Sequence, residues 1–319
     1  MHKHKHSKLR TAVILFAIAT LIIHLVNKFI VASATFRDML DVLNRKYFKS
    51  KFGNIYYNKR GHGTPLLLIH DSLPGSSGYE WNKIDKLLAT EHTVYTIDLI
   101  GFWRSDKPGL TYTNYLFVQL ITEFIEKVIG QKTDVIVSGI SSSYVIMAAN
   151  EKKELFGKIM AVNPSNPDFL NKELTIKDKI HEIILKLPVF GTLIYHMFVS
   201  RETINKLFAD KFFYNYSNID KDTLDAYREA AHKGGYFAKY LYISLVTGKL
   251  NVNLSHGIKS LQHDLMIIQG DYDSNNDIVS KTYQELNSAI SLNIIPNTKR
   301  YPQIENPEKF LEQAGYFFK

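Results

Sequence analysis

Cysteine is absent from all 319 residues. That excludes a thiol nucleophile, a cysteine-based zinc site, an iron–sulfur cluster and a disulfide-stapled scaffold. It leaves the redox compartment open. Internal repeats and low-complexity tracts are absent as well. Hydrophobic residues make up 45% and charged residues 22% of the chain, which suits a packed globular core and excludes a disordered tail. The length allows two domains, although α/β folds of roughly 250 residues often form one.

Thirty-nine Lys and Arg against 31 Asp and Glu leave a formal charge of +8. A basic balance of this size raises nucleic acid or an anionic membrane as partners, so its location matters. The first ten residues, MHKHKHSKLR, contain no acid, and Lys3, Lys5, Lys8 and Arg10 carry half of the excess. Residues 11–26 contain no Asp, Glu, Lys or Arg. Continued past Lys28 to Ala34, this run reaches the about 20 residues that span a bilayer, and Lys28 can snorkel to the headgroups.

We therefore expect a basic leader over 1–10, a transmembrane anchor over 11–34 and a juxtamembrane linker over 35–50. A cleaved signal ending at Ala32-Ser33-Ala34 competes, but the apolar run is long for one and Lys28 interrupts the approach to that site. A buried core helix would need cover on all sides. Basic residues also follow the span, among them Arg37, Arg45 and Lys46. The positive-inside rule thus favours a cytoplasmic leader and an extracytoplasmic domain only by a narrow margin. The His/Lys alternation of the leader fits an unstructured basic tail better than a metal site. No basic helix or aromatic-interleaved Lys/Arg cluster points to nucleic acid.

From residue 51 the pattern changes. Residues 51–61 alternate like a strand pair ending in a turn at Gly61-His62-Gly63. Short apolar runs follow at 66–70, 94–98, 134–139, 158–164, 265–270 and 292–296, each matching a buried strand. Helical patterns lie between several of them. In 114–130, Leu116, Leu120, Phe124 and Val128 recur every four residues, with Thr113 as N-cap and Gly130 as C-cap. The alternation predicts an α/β domain over 51–319 with a mainly parallel sheet covered on both faces. Residues 168–257 break it with a series of helices, expected near 172–186, 190–198, 201–213, 221–233 and 236–248. Such an insertion forms a helical cap over the carboxyl edge of the sheet.

The segment Val137-Ser138-Gly139-Ile140-Ser141-Ser142-Ser143 joins a buried strand to a helical run. It approaches the Gly-x-Ser-x-Gly nucleophile elbow, in which a tight turn pushes a serine hydroxyl out above the sheet. Gly139 fits, Ser141 takes the nucleophile position, and Ser143 replaces the second glycine. A serine-rich turn capping a helix is the plainer reading of the same residues.

Together with three further segments, this chain resembles the α/β-hydrolase fold family from about residue 51 to 319. Residues 66–77, LLLIHDSLPGSS, look like the loop that supplies an oxyanion-hole amide, with Asp71 where a glycine is expected. Residues 97–108 are similar to the family's Asp-x-x-Gly-x-Gly-x-Ser segment through Asp98, Gly101, Arg104 and Ser105, with Trp103 in place of the second glycine. Residues 267–277 resemble the acid loop and put Asp273 at the acid position. Residues 295–312 look like the C-terminal histidine segment, but Lys299 and Arg300 stand at its Gly-His positions.

The resemblance implies Ser141 as nucleophile and Asp273 as acid. The oxyanion site would be formed around Asp71, Ser72 and Leu73 and by Ser142. It also implies a relay without its base, because arginine does not release its proton in this range. An Asp71 carboxylate beside a developing oxyanion would be repulsive unless turned away. An ion pair between Asp273 and Arg300 could replace the relay. His181, His196 and His232 of the cap are the candidates for a substitute base. His70 fits a structural role in the oxyanion loop, and His263 precedes a strand at the opposite sheet edge.

No nucleotide loop is present, and no helical histidine pair occurs outside the leader. The acidic loop beginning at Asp271 lacks the glycine and final acid of a calcium site. We expect no cofactor and no metal. Two functions fit: a membrane-anchored serine hydrolase acting on an ester or other acyl substrate, or a non-catalytic member that binds an apolar ligand or a partner.

Overall fold

The computed structural model describes residues 2–38, 45–171, 174–272 and 276–319. The apolar runs form strands because nothing in them competes with burial on both faces. The strands are β1 (Lys46–Ser50), β2 (Gly53–Arg60), β3 (Thr64–Ile69), β4 (His92–Ile97), β5 (Thr133–Ser138), β6 (Phe156–Val162), β7 (Leu265–Gly270) and β8 (Ser291–Ile295). They make one eight-stranded sheet in the order β1-β2-β4-β3-β5-β6-β7-β8. The β1–β2 and β2–β4 pairs are antiparallel, and the other pairs are parallel. The register aligns Ile69 with Val137 and Val162 with Ile268, so the loops after β3, β5, β6 and β7 leave the sheet at one edge.

The two sheet faces are covered by separate apolar clusters. One centres on Phe117, Phe124, Tyr144 and Ile267, the other on Trp81, Met160, Ile268 and Phe310. The helix Asn114–Phe124 starts as expected, with the Thr113 hydroxyl accepting from the Leu116 amide. It continues through a π-turn over Ile125–Ile129 and stops at Gly130, whose φ is +74°.

The expected linker is in part a strand. Lys46–Ser50 pairs with β2, and Phe48 packs edge-on against Phe124 at 5.9 Å. The aromatic pair and the tight link to Gly53 draw this segment into the sheet.

Between β6 and β7 lie the cap helices Ile176–Lys186, Phe190–Phe198, Arg201–Leu207, Lys221–His232 and Lys239–Val246. Side chains at their starts set three of these ends. Thr175 and Asp178 form a capping box, Ser200 accepts from Thr203, and Asp220 accepts from the Thr223 amide. The leader, expected as an unstructured basic tail, instead continues the apolar run from His2 on as one leader helix, His2–Thr35, of which Lys8–Thr35 is long and apolar enough to cross a membrane.

Candidate functional site

Strand β5 ends at Ser138, and the next helix begins at Ser141. The reversal between them is made at Gly139, whose φ is +56°. Ile140 is already in the right-handed helical region. Asp38, Asn163, Val189 and Asn297 are the non-glycine residues with positive φ among those described, so Ser141 is not the apex of the turn. The expectation placed it there; the left-handed residue lies two positions earlier because only glycine takes that conformation without strain.

Ser141 is fully buried, and its hydroxyl lies 2.9 Å from that of Ser72. The Ser142 amide donates to the Gly139 carbonyl at 3.2 Å. It closes the first helical turn and does not point to an open site. The Ser143 hydroxyl donates to the Ile140 carbonyl at 2.8 Å and accepts from Asn114.

The centre of the site is Asp71. Its side chain has no exposed surface. Oδ1 accepts from the backbone amides of Ser72 at 2.7 Å and Ile140 at 2.9 Å. Oδ2 accepts from Arg300 through Nε at 2.9 Å and through Nη2. Four N–H groups therefore converge on one carboxylate. A methyl group on Gly139 would collide with that carboxyl. The Asp71 side chain thus occupies the space into which a side chain at position 139 would project.

The charge of Arg300 is fixed by this partner. Burial works against the guanidinium, but the charge and hydrogen bonds of Asp71 together with Tyr301 outweigh it and raise the pKa. The Arg300 amide donates to the Phe212 carbonyl of the cap at 3.0 Å, and its carbonyl accepts from Asn163. The expected partner, Asp273, lies outside the described residues. Leu73 is half-buried and lines a cavity beside the ion pair. That cavity of about 640 Å³ is bounded by Leu73, Ile140, Ser165, Asn166, Leu170, Leu245, Leu250, Val279 and Arg300, among others.

Two groups behind Asp71 were not singled out in the sequence. Its amide donates to Glu80 at 3.1 Å, and Gln303 donates to the other Glu80 oxygen at 2.8 Å. Burial first, and the neighbouring Asp71 charge second, push the Glu80 carboxyl up to about 8. A buried acid just before a tryptophan was the available signal, but its partners come from distant segments.

The remaining motif residues bond or stack within the fold. His70 receives the Leu99 amide on Nε2 at 3.0 Å, so its Nδ1–H donates to the Asp71 carbonyl at 2.6 Å. Burial holds its pKa low. Asp98 accepts from the Gly78 amide at 2.7 Å, and the Ser105 hydroxyl donates to the Asp98 carbonyl. Arg104 stacks over Trp103 and Tyr56. His263 bonds the Lys153 carbonyl.

The Ser141 hydroxyl meets Ser72, and the cap histidines make other contacts. His181 is exposed on the first cap helix. His196 and His232 stack on each other at 5.1 Å, and His232 Nδ1 bonds the Arg228 carbonyl. Burial depresses both rings from 6.5 to about 4. Such groups are neutral when folded but take up protons when unfolded between those values. Stability is therefore intact above pH 6.5 and falls as pH drops toward 4. The expected result is a wild type that loses thermal stability over that window relative to His196→Leu, in which one such ring is gone. Parallel melting curves in the two proteins would contradict it.

A family model described as "Alpha/beta hydrolase family" matches residues 66–313. The chain belongs to the α/β-hydrolase family. A 71-residue segment is 31% identical to a 2-hydroxy-6-oxo-6-(2'-aminophenyl)hexa-2,4-dienoic acid hydrolase of Metapseudomonas resinovorans. That match spans 22% of this chain and only 24% of the relative.

Among solved structures, the carbazole-degradation serine hydrolase CarC superposes with a TM-score of 0.69 at 18% identity, covering 87% of this chain and 99% of that one. The meta-cleavage product hydrolase CumD of Pseudomonas fluorescens IP01 gives 0.67 at 20% identity, covering 86% and 97%. The epoxide hydrolase CorEH gives 0.69 at 17% identity, covering 86% and 98%. At these identities the likeness is one of fold.

Proposed function

We propose that this α/β-hydrolase-family chain is held at a membrane by its leader helix and binds a small, mostly apolar molecule without cleaving it through a serine relay. One observation carries the reading: the Asp71 carboxylate is held by the Ser72 and Ile140 amides and neutralised by Arg300. In this fold the oxyanion hole combines the amide after the nucleophile with one from the loop after the third strand. Ile140 and Ser72 supply such a pair, which puts the nucleophile position at Gly139. A glycine has no nucleophile to offer, and the hole is filled by the protein's own anion.

The neighbouring cavity supports a binding role. Its walls combine Leu, Ile and Val side chains with Asn163, Ser165, Asn166, Asn251 and Arg300 as polar groups, the composition of a small-molecule site. The comparison proteins are named as hydrolases of small substrates, which suits a ligand of that size. The leader helix supports an anchor, and a signal sequence would share its length and apolarity.

A serine hydrolase built on Ser141 is the second reading, favoured by the 2.9 Å contact of its buried hydroxyl with Ser72. Exposure of the detergent-solubilised full chain to a fluorophosphonate probe separates the two. We expect no labelling above a Ser141→Ala control. Covalent modification mapped to Ser141, with ester turnover lost in the control, would reverse the order of the readings.

A further inference from the structure

The leader helix does not stand clear of the cap. Over residues 20–35, Thr20, Ile23, Asn27, Ile30, Val31, Ala34 and Thr35 are its less exposed positions, and their three- and four-residue spacing makes one stripe. Asn27 Nδ2 donates to the Val189 carbonyl at 2.9 Å, and Phe16 stacks on Phe190 at 5.9 Å. Both contacts fall on the corner between the cap helices Ile176–Lys186 and Phe190–Phe198. Arg37 pairs with Asp225, and Lys233 with Asp38, each at 2.7 Å, at the far end of the same contact.

This arrangement fixes a depth. Phe16 is five residues inside the uncharged run that begins at Thr11, about 7 Å along the helix at a rise of about 1.5 Å per residue. A bilayer that encloses the run also encloses the corner that Phe190 occupies.

The first cap helix carries a second, independent sign. Ile176, Ile180, Ile183 and Ile184 are 77%, 51%, 66% and 40% exposed, and Leu187 just beyond is 46% exposed. Their spacing forms a single apolar stripe, and it faces outward. Leu185 is the buried residue of this helix. A helix that packs on a protein core turns such a stripe inward. An outward stripe flanked by lysines, here Lys177, Lys179 and Lys186, is the pattern of a helix lying in a membrane interface. Met197 and Phe198 extend the exposed apolar surface onto the second cap helix, at 65% and 50%.

We infer that the occupant of this face is a lipid bilayer. The helix Ile176–Lys186 and the following corner would lie in the leaflet beside the leader helix, giving the domain a second membrane contact. The inference rests on the anchor reading above.

The lack of cysteine makes the test clean, because one introduced cysteine is unique. Full chains carrying Leu21→Cys, Ile183→Cys, Leu187→Cys or Lys132→Cys would be labelled with an environment-sensitive nitrobenzoxadiazole dye. Each would be reconstituted in phosphatidylcholine–phosphatidylglycerol vesicles with and without brominated acyl chains. Lys132 lies at the opposite edge of the sheet, just before β5. The expected result is at least two-fold quenching by brominated lipid at positions 183 and 187, as at 21, and none at 132.

Quenching at 21 with 183 and 187 behaving like 132 would overturn the docking and leave the anchor standing. Quenching at 183 and 187 but not at 21 would remove the anchor and overturn the proposal of a second contact beside it. Loss at all three would remove both. A dye at 183 and 187 that is shielded but unquenched, and is exposed when protein is diluted in lipid, would assign the face to a second copy of this chain and overturn the proposal.

Discussion

Replacing Arg300 with leucine is expected to cost about 3–5 kcal/mol of folding stability, the range for removing one partner of a buried ion pair. The variant leaves the Asp71 carboxylate with no exposed surface and no counterion. Two backbone amides still reach Oδ1, but Oδ2 loses both of its guanidinium donors. Asp71→Asn is expected to be milder, because Arg300 keeps 24% of its side-chain exposure and can turn toward water in the cavity. The decisive comparison is the cycle. In an Asp71→Asn background, Arg300→Leu should cost less by about 1–3 kcal/mol, the size of a direct coupling between contacting groups. Urea or thermal unfolding of the four solubilised proteins measures it. Additive losses would mean that the two residues do not act as a pair.

The fold was legible to a degree set by local chemistry. Runs such as 66–70 and 265–270 are apolar throughout, and burial on both faces leaves them one outcome, a central strand. Leu116, Leu120 and Phe124, with Thr113 before and Gly130 after, specify a helix and both its ends. The strand Lys46–Ser50 was less visible because its outer edge is unpaired and its residues are largely exposed. Its one strong signal, Phe48, takes its meaning from Phe124 far along the chain.

The site was legible in residue types but not in partners. Asp71 and Arg300 each stood out as a departure from the resembled pattern, and they carry opposite charge. Their contact joins positions 229 apart in sequence. It depends on β3 lying beside β5, and on the segment after β8 folding back over the sheet edge. Neither relation is encoded near either residue. Asp273 was nearer in sequence and drew the assignment. The apex of the turn had the same difficulty: several small residues over 138–143 could each take it, and the pairing of β5 with β6 through Ser138 and Val162 places Gly139 at the first position beyond the strand, its amide still held by the Val162 carbonyl.

That placement has a large consequence. Gly139→Ser should destabilise the protein by about 4 kcal/mol, from left-handed strain of about 1–2 kcal/mol and overpacking of about 1–3 kcal/mol. The overpacking comes from the collision with the Asp71 carboxyl. Asp71→Gly should relieve the second part, so the losses of the two substitutions should be less than additive in the double variant. It also empties the site to which Ser72 and Ile140 direct their amides, and it places a hydroxyl at the turn. Adding Arg300→His then supplies a base on the segment that now carries the guanidinium. The expected outcome is a triple variant that reacts with a fluorophosphonate at residue 139, where the wild type does not react. Peptide mapping after labelling reads the position directly. Modification at Ser141 instead would return the nucleophile position to that serine and undo the assignment of the oxyanion hole to Ile140 and Ser72. A well-folded triple variant with no label at either residue would show that these amides do not form an oxyanion hole for a side chain at 139.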